Sequence, residues 1–396
     1  MNKNKNIPEI RFKGFDEGWK SSQLKELVSY LGLGRTPLIS NKSYYGGRIP
    51  FLKISDINNN GCFINKTEKK ITQLALDCNV AKFYPKGTIS LVTTFSYGEV
   101  VIMNMDCATS EAFYNIGFKS NTLRDFIFWE LKWIHQSNYW NKLVLVGVQP
   151  YINLDIVKGV TVSLTSDDEM KKIGNLFFSF ENLLESTKSK ISKLENCKEA
   201  LLSNMFPKTN QNKPDIRFNG FDKDWKIFVI NNIFKITQGY VLNEKQVSQV
   251  CSGLNPYPVY SSKTLNNGLF GFYKEFLYQD AITWTTVGYA GTVRYRQGKF
   301  YCTDVCGVLL KKTMKPDWMI SEVLNKVTPN HVIQGTRPQL SNYVMAEIEV
   351  KLPTEEKERE KISDIFSKID NLINLLKQKE SKLNLVKENL LNKMFC

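Results

Sequence analysis

Few residues in this chain have the types and spacing for bond-breaking chemistry, and each such group lacks a part its reaction needs. Asp317, Glu349 and Lys351 are the types with which a metal-dependent nuclease holds magnesium and polarises a phosphate. The pattern Pro316-Asp317 followed by Glu349-Val350-Lys351 fits that use, yet its second half lies in a segment that reads as a domain-closing strand. Asn255-Pro256-Tyr257 has residue types that grip an extruded base by hydrogen bonds and stacking. The second proline of such a motif is missing and no glycine-rich cofactor loop follows a strand, so a turn is expected. Gly291 to Lys299 has neither the glycine spacing nor the Ser or Thr of a phosphate-binding loop. The eight cysteines form no Cys-x-x-Cys pair. Cys302 and Cys306 stand four apart with no second pair to complete a zinc site, and only His135 and His331 could join them. Reduced thiols and no metal centre are expected. No signal peptide is visible and no apolar run is long enough to cross a membrane, so the expected location is cytoplasmic.

The elements that would position any site are written twice. From Asp167 to Phe206, apolar residues recur at Ile173, Leu176, Phe177, Phe180, Leu183, Leu184, Ile191, Leu194, Leu201 and Met205. Steps of three and four over this length predict one long amphipathic helix with a coiled-coil-like seam. Glu355 to Phe395 repeats the rhythm with Ile362, Ile365, Phe366, Ile369, Leu372, Ile373, Leu376, Leu383, Val386, Leu390 and Met394. Both stretches end in Leu-Leu-x-x-Met-Phe. A second repeat opens each globular segment: Pro8-Glu9-Ile10-Arg11-Phe12-Lys13-Gly14-Phe15-Asp16 with Trp19 returns as Pro214-Asp215-Ile216-Arg217-Phe218-Asn219-Gly220-Phe221-Asp222 with Trp225. Repeats of this period decide the architecture before any local reading does.

Between opening and helix lie short strands, aromatics and turn residues. Ile49 to Ile54, Thr88 to Thr93 and Val160 to Leu164 read as strands. Leu123 to Val146 reads as partly helical, with Phe126, Trp129, Trp133 and Trp140 as core. In the second segment Ala281 to Trp284 answers Thr88 to Leu91, Gly291 answers Gly98, Gly335-Thr336-Arg337-Pro338 answers Gly147-Val148-Gln149-Pro150, and Glu347 to Leu352 closes the domain. The predicted layout is domain 1–165, helix 166–206, linker 207–213, domain 214–353 and helix 354–396. The net charge of +14 favours a polyanionic partner. In the first helical stretch six lysines face seven acids, and in the second nine basic residues face eight acidic ones. The excess therefore lies in the globular segments. A short linker leaves no room for a long return connection, so the helices are expected to pair antiparallel.

Duplicated openings, two divergent globular segments, Gly-x-x-Pro turns and duplicated long helices together cover nearly the whole chain. In these features it resembles the specificity subunits of type I restriction–modification systems. The resemblance implies an α+β fold: two similar target-recognition domains held apart by two long antiparallel helices, a coiled-coil spacer with a pseudo-twofold internal repeat. It implies binding of double-stranded DNA at a bipartite target, one half-site per domain, and docking of two methyltransferase (modification) subunits, which restriction (translocase and nuclease) subunits join. No catalysis and no cofactor would belong to this chain; S-adenosylmethionine, ATP and magnesium would belong to the partners. Phosphates are met by Lys, Arg and small polar groups, and base edges by Arg, Lys, Asn and Gln. On that basis the expected DNA-binding residues are Arg35, Thr36, Lys53, Ser55, Tyr97 and Gln149 in the first domain. In the second they are Gln238, Tyr240, Ser261, Ser262, Lys263, Tyr289, Arg294 and Arg337. The alternatives are a self-contained nuclease built on Asp317, Glu349 and Lys351, and a coiled-coil adaptor whose basic domains bind protein.

Overall fold

The computed structural model describes residues 7–57, 61–144, 150–208, 210–262 and 265–395. It divides into two compact units: Met1–Ser189 with Gln378–Cys396, and Lys190–Lys377. In the first unit, strand Lys20–Gln23 pairs antiparallel with the closing strand Thr161–Leu164. A five-stranded sheet follows in the order Val28–Leu33, Phe113–Phe118, Ile89–Val92, Val100–Met103, Phe63–Ile64. Its strands Ile89–Val92 and Val100–Met103 are buried at every position, and the one polar side chain among them, Ser90, is satisfied by donating to Asn115 Oδ1 at 2.8 Å. A four-stranded sheet of Lys69–Ile71, Tyr45–Leu52, Cys107–Thr109 and Phe83–Tyr84 lies in the same unit. In the second unit the closing pair is Lys226–Val229 with Glu349–Leu352. One six-stranded sheet runs Phe234–Gln238, Cys306–Lys311, Tyr278–Thr285, Val293–Cys302, Tyr257–Tyr260, Leu269–Tyr273.

The sequence repeat is a repeat of hydrogen bonds. Ile89 stands opposite Ile102 as Ile282 stands opposite Tyr295. Leu52 pairs in parallel with Thr109 as Tyr260 does with Cys302. Each unit carries one amphipathic helix at the same point in its chain, Asn121–Gln136 and Trp318–Val327. The Ser120 hydroxyl and the Asp317 carboxylate cap them by accepting from Leu123 N and Ile320 N. Phe126, Trp129 and Trp140 are buried, and Trp133 stacks on Phe395 at 6.4 Å. The helix stops at Gln136, and Trp140–Leu143 forms a separate turn after Asn138, whose φ is +56°.

The long helices run Asp167–Asn204 and Glu356–Met394. Their pairing is antiparallel in both units: Glu181 with Lys387 and Lys188 with Glu380 in the first, Glu195 with Lys377 and Lys198 with Asp370 in the second. The seam is narrower than the apolar stripe suggests. Leu184 and Ile373 are buried, whereas their neighbours Leu183 and Leu372 are 40% and 46% exposed, and Val386 is also exposed. Adjacent helical positions point about 100° apart, so a single partner helix can cover only one of them. The strand expected over Ile49 to Ile54 starts earlier and stops at Leu52, because Asp56 Oδ2 accepts from Lys53 N at 2.9 Å and turns the chain.

Each helix ending seats against a repeated opening. Ile10 N donates to Lys393 O and Ile216 N to Asn204 O, both at 2.9 Å. Phe395 packs on Trp19 and Phe126 (6.1 and 5.4 Å), while Phe206 packs on Trp225 and Phe366 (5.9 and 6.0 Å). The second helix thus ends in the core of the first unit, and the first helix ends in the core of the second.

Candidate nucleic-acid interface

Each repeated opening is fixed by one buried carboxylate. Arg11 donates through Nε and Nη2 to both oxygens of Glu169 at 2.7 and 2.8 Å, and Trp19 Nε1 donates to Oε2 at 3.3 Å. Arg217 holds Glu358 in the same two-pronged way at 2.7 and 2.8 Å, and there Trp225 Nε1 donates to Oε1, the oxygen that Arg217 Nε also holds, at 3.4 Å. Both glutamates lie near the start of a long helix, so the clasp ties a domain's opening to the helix that leaves it. Bidentate pairs of this kind fix orientation as well as charge. Neither glutamate stood out in the sequence, although the repeated Arg and Trp that hold them did.

On this frame, matching loops stand in matching places. Gly98 N donates to Val92 O as Gly291 N does to Thr285 O, at 2.8 and 2.9 Å. Thr94 bridges Tyr151, and Val287 bridges Gln339. Arg35 N reaches Thr109 O, and Tyr240 N reaches Cys302 O, at 3.0 and 3.2 Å. Gly34 and Gly239 precede these residues for a steric reason: an added Cβ would sit 2.0 Å from Ser110 O or 2.2 Å from Cys302 O. The frame is shared while the residues it presents differ, Arg35 standing where Tyr240 stands.

Thr36 and Lys53 line one cavity of about 410 Å³ together with Lys42, Lys69 and Lys70, three lysines not anticipated from the sequence. Arg35 is exposed and donates to Asn79 O at 2.7 Å. Ser55 is exposed on the short helix Ile54–Ile57. Tyr97 donates to Asn141 Oδ1 at 2.6 Å and borders a separate cavity of about 220 Å³. In the second unit Ser261 and Arg294 border one small cavity, with Ser262 half-buried next along the chain. Tyr289 and Arg337 are exposed on two loops that the Val287–Gln339 bridge joins. Gln238 ends its strand with its carbonyl accepting from Tyr278, and Tyr240 is exposed. Gln149 and Lys263 lie outside the described residues.

Phe95 was missed. It is 78% exposed, and its φ of +58° is strained for any residue with a Cβ. The matching position on the second unit's loop is Gly288, which adopts φ +88°.

The residues weighed as a nuclease serve the fold. Asp317 caps its helix, approaches Arg359 at 3.7 Å, and is pushed up to about 6 by burial. Glu349 faces outward from its strand, and Lys351 Nζ donates to Gln211 O at 2.8 Å. Cys302 and Cys306 are buried thiols; burial raises both, Cys306 to about 11.

Comparison with known proteins decides the family. A type I restriction modification DNA specificity domain matches residues 16–196 and again residues 222–385. The chain belongs to that specificity family. A type I specificity subunit of Mycoplasma pneumoniae is 30% identical over 233 residues, 57% of this chain and 81% of its own length. The specificity subunit of the MjaIX type I restriction enzyme of Methanocaldococcus jannaschii is 26% identical over 252 residues, 60% of this chain and 58% of that relative. In structure, the S subunit of a type I restriction–modification system from M. genitalium superposes with a TM-score of 0.71 at 17% identity, covering 98% of this chain and 99% of that one. The specificity family thus has here an α+β fold of two family domains with the two long helices packed together. Among the described residues no helix is long and apolar enough to cross a membrane.

Proposed function

We propose that this specificity subunit reads a bipartite site on double-stranded DNA, one half-site per domain, and carries no catalysis of its own. The observation that carries the reading is the doubled frame with divergent loops: the same hydrogen bonds hold the loops of both units, and different residues occupy them. Residues 1–165 and 214–353 are the readers, 207–213 is the linker, and 166–206 with 354–396 form the spacer. The helix length sets the number of unread base pairs between half-sites, in the way DNA readers use the protein between two modules. The near-neutral helices dock two methyltransferase subunits, which restriction subunits join; S-adenosylmethionine, ATP and magnesium act there.

In domain one, Lys42, Lys53, Lys69 and Lys70 meet phosphates around the cavity that Thr36 shares. In domain two the joined loops present Tyr289 and Arg337, with Arg294 on the neighbouring strand. Binding of the chain with its partners to duplexes of varied sequence tests this. Arg337→Ala or Arg294→Ala should cost about 1–3 kcal/mol and relax one position of the site if the residue meets a base edge. A phosphate contact instead weakens all sequences alike and lowers the salt slope by about one. No change in either quantity for both variants removes them from the interface.

A further inference from the structure

Among the described residues Arg296 makes no ion pair with a carboxylate. It lies two residues beyond Arg294 on the strand Val293–Cys302, so the two share a strand face. Its guanidinium lies 3.7 Å from the centre of the Tyr260 ring. Nε donates to Thr283 Oγ1 at 3.1 Å and Nη1 to Asn267 O at 2.8 Å, leaving Nη2 with no protein partner among the described residues. Burial lowers its pKa, and the charged side chain that acts on it is Arg294 rather than a carboxylate. Glu322, in the same wider cleft, responds to Lys198 and Arg294. Arg296 is half-buried, and with its ring face and two of its nitrogens engaged the guanidinium is held in one orientation with its remaining edge open to an acceptor from outside.

The fold itself does not require it. Arg296 pairs with Ala281 where the first unit has Met103 bonded to Thr88, and Tyr260 stands where the first unit has Leu52. Leu52 and Met103 are fully buried in one apolar cluster. The same frame thus accepts an apolar pair in one domain and a stacked tyrosine–arginine pair in the other. A guanidinium fixed in orientation suits a paired acceptor edge, and in DNA the base offering one in the major groove is guanine, through O6 and N7.

We propose that Tyr260 and Arg296 form a preorganised receptor in the second domain that reads the O6/N7 edge of a guanine in that domain's half-site. The inference rests on the DNA-reading function proposed above. The half-site of domain two is first identified as the one that changes when residues 214–353 are exchanged. The chain, copurified with its partners, is then titrated with duplexes carrying each single-base change in that half-site. The wild type should show a guanine whose replacement weakens binding about tenfold or more. In Arg296→Met, and in Tyr260→Leu with Arg296→Met, which installs the first unit's pair, that penalty should fall below about threefold while the other positions keep theirs. Arg296→Lys, which keeps the charge and loses the fork, should behave the same way. An unchanged penalty overturns the proposal. So does an equal loss on all sequences with a shallower salt dependence, which marks a phosphate contact, and so does unfolding of the double variant, which marks a structural cation. If the wild-type complex prefers no bipartite site, the wider reading fails as well, and that outcome differs from a wild type that discriminates alongside variants that still do.

Discussion

At the residue scale, buried charges state most clearly what they do. Arg217 neutralises a Glu358 carboxylate that is only 1% exposed. Arg217→Ala strands that charge and should cost about 3–5 kcal/mol in a urea titration. Glu130 is the opposite case: fully buried, accepting from Ser163 N at 2.5 Å, and pushed from its ordinary value of 4.5 up to about 8 by desolvation. Its folded form holds a proton that the unfolded chain releases, so its contribution to stability is fully present below about pH 4.5 and declines as pH rises to about 8. Glu130→Gln keeps the acceptor for Ser163 and should remove that decline, leaving the variant similar to wild type at pH 4 and more stable at pH 9; denaturation curves that coincide at pH 9 would contradict this. Phe95→Gly should stabilise the fold by about 1 kcal/mol through relief of a left-handed backbone. If the ring stacks on DNA, the same change should weaken binding severalfold, and unaltered binding would reduce Phe95 to a strained surface residue. Arg11 and Arg217 were conspicuous in the sequence as parts of a repeat. Their partners were not, because Glu169 and Glu358 lie more than 140 positions away in acid-rich first turns where several acids look equivalent. Arg296 was passed over for a related reason: beside the exposed Arg294, an arginine on a strand reads as solvated, and only the structure shows it lying on Tyr260.

Secondary elements were easier to read where a period is long and harder where contacts decide. The long helices were legible almost to the residue, since a stripe sustained over ten turns has no competing interpretation. Which half of the stripe is covered was not, as exposed Leu183 and Leu372 show. The loop twins were legible through Gly98 and Gly291, whose positive φ values make glycine the residue of least strain. The register of the helices also sharpens an experiment. Glu181 with Lys387 and Lys188 with Glu380 place the Ser186–Thr187 junction opposite Ser381–Lys382. Four residues inserted at both junctions add about 6 Å of helix and turn the stripe by only about 40°. Matched insertions should preserve both half-sites and lengthen the gap by one or two base pairs at about 3.4 Å each. An insertion in one helix alone should mispair the seam and lower stability or partner binding.

Across the whole molecule, one frame occurs twice and carries different loop residues each time. Shared bonds such as Gly34 N to Phe113 O and Gly239 N to Cys306 O keep each domain's loops in place whatever residues they carry. Reading one half of a target should then be a property of one domain. The measurement that tests this most directly is mapping of methylated sites in cells that carry the chain, with its partners, after Trp19 to Leu164 has been replaced by the corresponding segment of a relative. One half-site should change to the donor's while the other half-site and the gap stay as they were. A change in both half-sites, or in neither, would contradict it.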